Sequence, residues 1–458
     1  MDAGSARPRH FLEGKTIFVA GAGIAGCAWV VALRKLWDPA LKPPTVVVFD
    51  RDPGDASLRR DGENYTISLS GHSEDGGLVT LQKLGLADSV FGCAAAGVGP
   101  DAGAFKIWGP DWRERLTPSR RPLHGLPTAS IRIARSQLRR LLSDAVDAWN
   151  QSRVQWESQC VSAEKLDDGR VRVRIRRSKA TGPAVGEGSG GLRGGEAEEE
   201  ETQQDCDLLV AADGANSRLR ALLRPDDGLQ YAGAVLRGGL SRFDEGAVPS
   251  LPGRDWGFML SGGGVSCFFS PVDDRTVFWA VGHPERDPAP ELDRSGGARD
   301  EAAARAVVDR ARQLGAFFRE PFASMVARTV PRTVLCINAH DKKPFRHDDS
   351  RGRGPNDPAV VFIGDSNHAL SPFAGIGANL ALADGWDLAE QLCRRGGGEE
   401  GELPGWSLAK AVAAYDDISV PRAAKVLEGS RQMLRASHSV GWRSWAFWLV
   451  LVVRDWLS

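Results

Sequence analysis

Asp365 and His368 stand three residues apart in FIGDSNHALSPFAGIGANLALADG, the stretch from Phe362 to Gly385. An acid and an imidazole at that spacing could hold a metal, activate a nucleophile or serve a bound cofactor, or the stretch could be a turn between two core elements. The run passes from an apolar triplet through Gly364 and Pro372 and across the small residues of AGIGAN before it becomes helix-like. One continuous regular element cannot accommodate that composition. Beyond Asp365 there is no further His or carboxylate beside His368 at ligand spacing, so it reads as a packed or capping histidine, and no metal site is expected.

Two further groups of residues have chemical potential. Gly21, Gly23 and Gly26 form GxGxxG inside KTIFVAGAGIAGCAWVVALRKL, and Asp50 follows at the end of TVVVFDRD. In LLVAADGANSRLR, Asp213 and Gly214 end an apolar run, with Ser217 and Arg220 just beyond. Glycines at the first spacing permit a tight turn, close approach of backbone to a pyrophosphate, and close helix-strand packing, while the helix N-terminus supplies N–H groups and a favourable dipole. Asp50 falls where an acid would hydrogen-bond an adenosine ribose. The pattern predicts a dinucleotide site without distinguishing FAD from NAD(P).

These residues need elements to carry them. KTIFVAGAGIAGCAWVVALRKL reads as strand, glycine turn and helix, and TVVVFDRD as the next strand, so a βαβ unit opens the chain. SQLRRLLSDAVDAW is an amphipathic helix and RVRVRIRRSK a half-exposed strand. The Gly, Ser and Glu-dominated stretch over about 179–204 is expected to be an unstructured insertion between hairpin strands, because it cannot bury enough apolar surface to order itself. Between about 228 and 343 the chain turns to strand-like runs broken by one helical stretch, the pattern of an antiparallel-sheet α+β domain. AVVFIGD then resumes the first fold. The expected class is α/β: a discontinuous Rossmann-like nucleotide domain over 1–227 and 344–400, an inserted substrate sheet over 228–343, and C-terminal helices over 401–458.

Taken in order, the glycine loop, DGANSRLR and the late GDSNH segment resemble the fingerprint of class A flavoprotein monooxygenases, the para-hydroxybenzoate hydroxylase-like FAD enzymes. The form of the late motif is similar to that of tetracycline-inactivating and polyketide- and meroterpenoid-tailoring members. The resemblance covers nearly the whole chain, apart from the acidic insertion and the Trp-rich C-terminus. It implies FAD as cofactor, NAD(P)H as co-substrate, and transfer of one oxygen atom from O2 to a small molecule, with the flavin rather than a protein nucleophile carrying the chemistry. It further implies that Asp50 holds the ribose, Arg51 lies beside the adenine, and Arg135 of IARSQLRRLL reaches the pyrophosphate and ribityl region. Asp213 and Gly214 would support FAD, Asp365 would bond the ribityl chain, and Pro372, Gly375, Gly377, Ala378 and Asn379 would line the isoalloxazine. Where many members have GDAAH this chain has GDSNH, so Ser366 and Asn367 are expected to add polarity near the cofactor. Ser68, in a loosely matching stretch, and Arg59 and Arg60 are given no role.

The site should be dry, and Trp256, Phe258, Met259, Phe268, Phe269, Phe278 and Trp279 are candidate walls. The expected substrate is apolar, aromatic or polyketide-derived, as in secondary metabolism, and the reaction hydroxylation or epoxidation. Baeyer-Villiger-type oxygen insertion, halogenation, reduction and a flavin-binding protein without turnover stay open as alternatives. A second GxGxxG unit for nicotinamide is absent from the sequence, as is a WxWxIP signature for halogenation.

The bulk composition agrees with a globular protein. With 58 basic and 59 acidic residues in 458, and no basic tract with interleaved aromatics, a nucleic-acid partner is not expected. Seven scattered cysteines without a CxxC pair read as reduced thiols of a cytoplasmic protein. The N-terminal MDAGSARPRHFLEGK reads as neither signal peptide nor anchor. GWRSWAFWLVLVVRDWLS is too short to span a bilayer and reads as a terminal helix packed on the body, with weak membrane or subunit contact as the alternative.

Overall fold

A computed structural model describes residues 10–54, 65–99, 102–178, 199–244, 254–292, 301–348, 359–394 and 406–441. Its centre is a five-stranded parallel sheet in the order Val360–Phe362, Leu208–Ala211, Thr16–Ala20, Thr45–Phe49, Ser152–Gln155. Apart from the edge strand Ser152–Gln155, the strands read as largely apolar runs because both faces are covered. Ile17, Val19, Val46, Val48, Leu208 and Val210 pack on one side against the helices Ile24–Leu36, Arg135–Asp147 and Gly377–Cys393. Phe18, Val47, Phe49 and Leu209 pack on the other against Val171, Val173 and Ile175 of a three-stranded antiparallel sheet.

That smaller sheet narrows the expected insertion. Residues 199–204 belong to the strand Glu199–Cys206, paired along its length with Val171–Ser178. The acidic sequence is a strand because its partner is basic: Arg172 donates to Asp205 at 2.9 and 3.1 Å, and Arg176 to Glu201 at 3.1 and 2.9 Å. Composition signalled disorder there, and cross-strand charge pairing overrode it. Residues 179–198 lie outside the described residues.

The second large element is a seven-stranded sheet in the order Leu335–Asp341, Gln230–Arg242, Thr276–Pro284, Ser266–Asp273, Trp256–Leu260, Phe105–Trp108, Glu114–Leu116. Its last two strands come from well before residue 228, the expected start of that sheet. Phe105–Trp108 runs parallel to Trp256–Leu260, with Gly257 at φ 149°. A Cβ at Gly257 would land on the Lys106 carbonyl, so the strand pair needs glycine there. A third small sheet, Thr66–Ser70, Ser130–Ala134 and Ala94–Ala96, lies between the two large ones.

The helix Gly377–Cys393 crosses Ile24–Leu36 closely because Gly385 sits at the contact, where a Cβ would come within 2.7 Å of the Trp29 backbone nitrogen. A 30-residue helix, Leu408–Ser437, closes the fold. Polar anchors fix it: Asp416 accepts from His347 Nδ1 at 2.7 Å while His347 Nε2 accepts from the Phe362 N–H at 2.8 Å, and Arg431 pairs with Asp341 at 2.6 Å. No helix among the described residues is long and apolar enough to cross a membrane, and the Trp-rich residues 442–458 lie outside the described residues.

Candidate active site

A cavity of about 490 Å³ opens where the parallel sheet, the small sheet and the aromatic face of the large sheet meet. Its first wall is built from strand ends. Gly21 sits at φ 110°, and a Cβ there would land on the Ala212 carbonyl; one at Gly26 would land on the Gly21 carbonyl. These two glycines are therefore consumed by packing. Gly23 faces the cavity, and a Cβ added there would meet only the Ala212 oxygen, at 4.0 Å. It precedes the helix Ile24–Leu36, whose first N–H groups have no intrahelical partner.

The DG and GD turns meet beside it. Gly214 lines the cavity at φ 83° with open space where a Cβ would stand. Asp213 turns its side chain inward; one oxygen accepts weakly from the Leu219 N–H at 3.4 Å, and the other is buried with no hydrogen-bond partner among the described residues. Burial pushes its carboxyl up, opposed by Ser217 and the Leu219 amide. Ser217 caps the following turn by accepting from the Arg220 N–H at 2.9 Å. Arg220 is buried and donates to the carbonyls of Ser366 at 2.9 Å and Ala215 at 2.5 Å, clamping the two turns together.

Asp365 is exposed on the cavity wall next to Gly364, which adopts φ 60° against Ala25. Desolvation by the enclosing cavity wall lifts its carboxyl above the ordinary range, opposed by His368 and Arg135. Arg135 also lines the cavity, from the first turn of its helix. Pro372, Gly375, Gly377 and Ala378 form the adjoining wall, with open space at both glycines and the N-terminus of the helix Gly377–Cys393 directed at it.

Several expected residues stand elsewhere. Asn379 lies behind that wall: its oxygen accepts from the N–H groups of Ser70 and Gly77, both at 2.8 Å, and its nitrogen donates to the Ser68 carbonyl at 2.9 Å. It straps the helix to the small sheet. Ser366 and Asn367 do not add polarity to the cavity, because both are buried and satisfied by backbone. Ser366 donates to the carbonyls of Ala211 and Ile363, and Asn367 makes a paired contact with the backbone of Phe345. Asp50 accepts from the Ala22 N–H at 2.7 Å, outside the cavity lining, and Arg51 is exposed.

His368 is buried against Asp384 at 2.5 Å, and Asp384 also accepts from the Gly364 N–H, Ser419 and Arg422. Asp384 lifts the imidazole above its ordinary range against the opposing effect of burial, while His368 and Arg422 hold the Asp384 carboxyl below its own. The expected packing role is met by a buried ion pair, formed with a carboxylate 16 residues downstream.

Two arginines escaped the sequence reading. Arg139 ties the glycine loop to the second strand, with Nε donating to the Ala22 carbonyl at 3.0 Å and Nη groups at 3.1 Å from Asp50 and 2.5 Å from Asp52. Its spacing of four from Arg135, on one helix face, was the available signal. Arg132 lines the cavity from the strand Ser130–Ala134, and the alternation of that strand offers no hint that the arginine faces inward.

The far wall is the aromatic sheet. Phe258, Phe268 and Phe278 face the cavity with Leu236, Ala280, Leu335 and Ile337. Met259, Phe269 and Trp279, the neighbours in sequence, point to the opposite face and pack with Trp112 and Phe322, as strand alternation requires. Trp256 is buried outside the cavity lining.

These features define a dinucleotide-binding α/β fold whose cofactor cavity is roofed by a second, aromatic sheet. The residues present fit FAD: glycines with empty space before them, two helix N-termini, Arg135 for a phosphate and an orphaned Asp213 oxygen. The chain is 41% identical to monooxygenase cfoF of Aspergillus candidus over 438 residues, covering 94% of this chain and 93% of that protein. It is 28% identical to 3-amino-4-hydroxybenzoate 2-monooxygenase of Streptomyces cremeus, over 92% and 87% of the two chains. The fold matches Klebsiella pneumoniae HpxO complexed with FAD and uric acid, at a TM-score of 0.64 and 21% identity over 96% of this chain and 94% of that one. A salicylate hydroxylase substrate complex matches equally, at 0.64 and 18% identity over 97% and 95%. No family model matches the sequence. The chain belongs to the class A FAD-dependent monooxygenases, and its cofactor is FAD.

Proposed function

We propose that the protein uses NAD(P)H and O2 to hydroxylate or epoxidise an apolar, aromatic or polyketide-derived small molecule in secondary metabolism. The observation that carries this reading is the shared cavity: one wall is made of strand ends, glycines and a helix N-terminus, the other of Phe258, Phe268 and Phe278. When bound, FAD supplies the redox chemistry, drawing electrons from NAD(P)H and activating O2.

The residues supply the rest. Gly21 and Gly26 shape the loop, Gly23 opens it to the pyrophosphate, and Arg135 offers a countercharge. Asp50 and Arg51 serve the adenosine end, with Asp50 held by Ala22 and Arg139. Asp365, which lines the cavity with Gly214, would bond the ribityl chain, and Gly214 and Asp213 would support the cofactor beside it. Gly377 and Ala378 would bring backbone N–H groups of a helix N-terminus to the ring, where negative charge collects on reduction, with Pro372 and Gly375 lining the wall beside them. Asn379 holds that terminus in place. The phenylalanine wall excludes water and orients an aromatic substrate by edge and face contact.

The same reading keeps a FAD-binding domain over 1–227 and 344–400, a substrate sheet over 228–343 joined by strands from 105–116, and C-terminal helices over 401–458. Unpaired cysteines, of which Cys27, Cys160, Cys206, Cys267 and Cys336 are buried, support a cytoplasmic location. For the Trp-rich C-terminus, packing on the body stays the first reading and weak membrane or subunit contact the alternative; its residues 442–458 lie outside the described ones. The test is direct: protein purified gently should be yellow, and aromatic or polyketide compounds should stimulate NAD(P)H oxidation with O2 uptake and a product 16 mass units heavier, about one oxygen atom. A colourless protein that takes up no FAD overturns the reading.

A further inference from the structure

Arg132 is 3% exposed and lines the cavity, yet no carboxylate answers its charge among the described residues. Nε donates to Ser270 Oγ at 2.9 Å and Thr66 Oγ1 at 3.2 Å, Nη1 to Ser68 Oγ at 2.6 Å, and Nη2 to Thr66 Oγ1 at 2.8 Å and to the Thr66 carbonyl. Every one of these acceptors is neutral. Nη1 carries a second hydrogen, and Ser68 is its only acceptor among the described residues. The guanidinium also lies 5.1 Å from the centre of the Phe268 ring, on the aromatic wall.

A buried cation without a counterion is costly unless something else supplies the charge. Burial alone pulls the pKa of Arg132 down to about 9, with no acidic group opposing it. Asp365 is the one carboxylate on the cavity wall among the described residues, and it has Arg135, Arg220 and His368 about it. The neutral hydroxyls and the cation–π contact fix where the guanidinium points without neutralising it. That place is the seam between the small sheet, which carries Thr66 and Ser68, and the large sheet, which carries Ser270 and Phe268.

We propose that Arg132 recognises an anionic oxygen of the substrate, a carboxylate or an ionised phenol or enol, whose apolar body lies on Phe268 and its neighbours. This rests on the reading of the cavity as a monooxygenase site and adds the charge of the ligand to it. Two anions could answer Arg132, the substrate and reduced flavin; contact with Ser270 and Phe268 on the aromatic sheet favours the substrate.

The probes are benzoate and its neutral isostere benzamide, titrated calorimetrically into FAD-loaded protein. Wild type should bind benzoate about tenfold more tightly than benzamide or better, since a charge-assisted hydrogen bond from the remaining Nη1 hydrogen is stronger than the neutral one benzamide would accept. In Arg132→Met the preference should fall to about twofold or less with benzamide binding retained. Arg132→Gln keeps a hydrogen-bonding group towards Thr66 and Ser270 without the charge; it should lose the preference likewise, and serves if the methionine variant does not fold. Equal affinity of wild type for the two probes, no benzoate binding up to about 10 mM, or a preference that survives in either folded variant overturns the proposal. So does a lowered flavin midpoint potential in the variants with the benzoate preference intact, which would assign the charge to the flavin. Failure of wild type to hold FAD would refute the monooxygenase reading itself, whereas a flavin-loaded protein indifferent to ligand charge refutes only the role of Arg132.

Discussion

Replacing Gly23 and Gly26 separately by alanine distinguishes a glycine kept for a cofactor from one kept for packing. Gly23 has φ −80° and ψ −174°, which an alanine adopts without strain, and its added Cβ would meet nothing nearer than the Ala212 oxygen at 4.0 Å. Stability of the flavin-free protein should therefore change by less than about 0.5 kcal/mol. The methyl group would nonetheless stand in the space through which the loop backbone reaches a pyrophosphate. A loss of FAD affinity of about 100-fold corresponds to about 2.7 kcal/mol. At free FAD about 100 times the wild-type Kd, wild type gains about 2.7 kcal/mol against unfolding, while Gly23→Ala gains about 0.4 kcal/mol. Gly26→Ala behaves oppositely: its methyl lands on the Gly21 carbonyl with Val19 Cγ1 at 3.2 Å and Ala212 Cβ at 3.3 Å. Overpacking of that kind costs about 1–3 kcal/mol in the flavin-free protein. Urea unfolding with and without FAD measures all four quantities. If Gly23→Ala keeps the full FAD-dependent gain, or loses as much flavin-free stability as Gly26→Ala, the assignment of Gly23 to the cofactor is wrong.

Three further outcomes are expected. Asp365→Ala should lower FAD affinity about tenfold by equilibrium dialysis, whereas Ser366→Ala, next in the chain, should cost about 1 kcal/mol of stability and leave FAD affinity unchanged, because Ser366 bonds only backbone. Arg220→Met should destabilise by about 2 kcal/mol or more in urea unfolding, since it strands the Ser366 and Ala215 carbonyls between the two turns. Asp384→Asn should cost about 3 kcal/mol near neutral pH by leaving His368 and Arg422 without their shared carboxylate. The pH dependence of that last loss has a definite sign. The folded pKa of His368 is raised, so its contribution is full below its ordinary value of 6.5 and is lost as pH rises through the folded value. The folded pKa of Asp384 is depressed, so its contribution is present above 3.8 and is lost only as pH falls through the folded value. The gap between wild type and Asp384→Asn should thus be wider at about pH 6 than at about pH 9; a gap that widens with pH contradicts the pairing.

The residues themselves determined much of this protein. GAGIAG between an apolar run and a helical one, with Asp50 at the next strand end, demanded a nucleotide-type βαβ unit, because glycine spacing and period are local properties of the chain. The same locality made the discontinuous domain readable from AVVFIGD, a buried parallel strand that needed neighbours on both faces. Side-chain direction was not local. Whether Phe268 or Phe269 faces the cavity depends on which face of the sheet another element covers, and pairing with Trp279 settles it. Ser366 and Asn367 looked polar and exposed to a cofactor until Ala211 and Phe345, far away in sequence, supplied partners. The acidic residues 199–204 became a strand because the arginines of the paired strand lie opposite them. Arg132 belongs wholly to the tertiary level: only the meeting of Thr66, Ser68, Ser270 and Phe268 around it makes a strand arginine into a buried charge awaiting an anion. Period and glycine spacing act within one element, whereas burial, partnership and charge balance exist only after distant elements have packed.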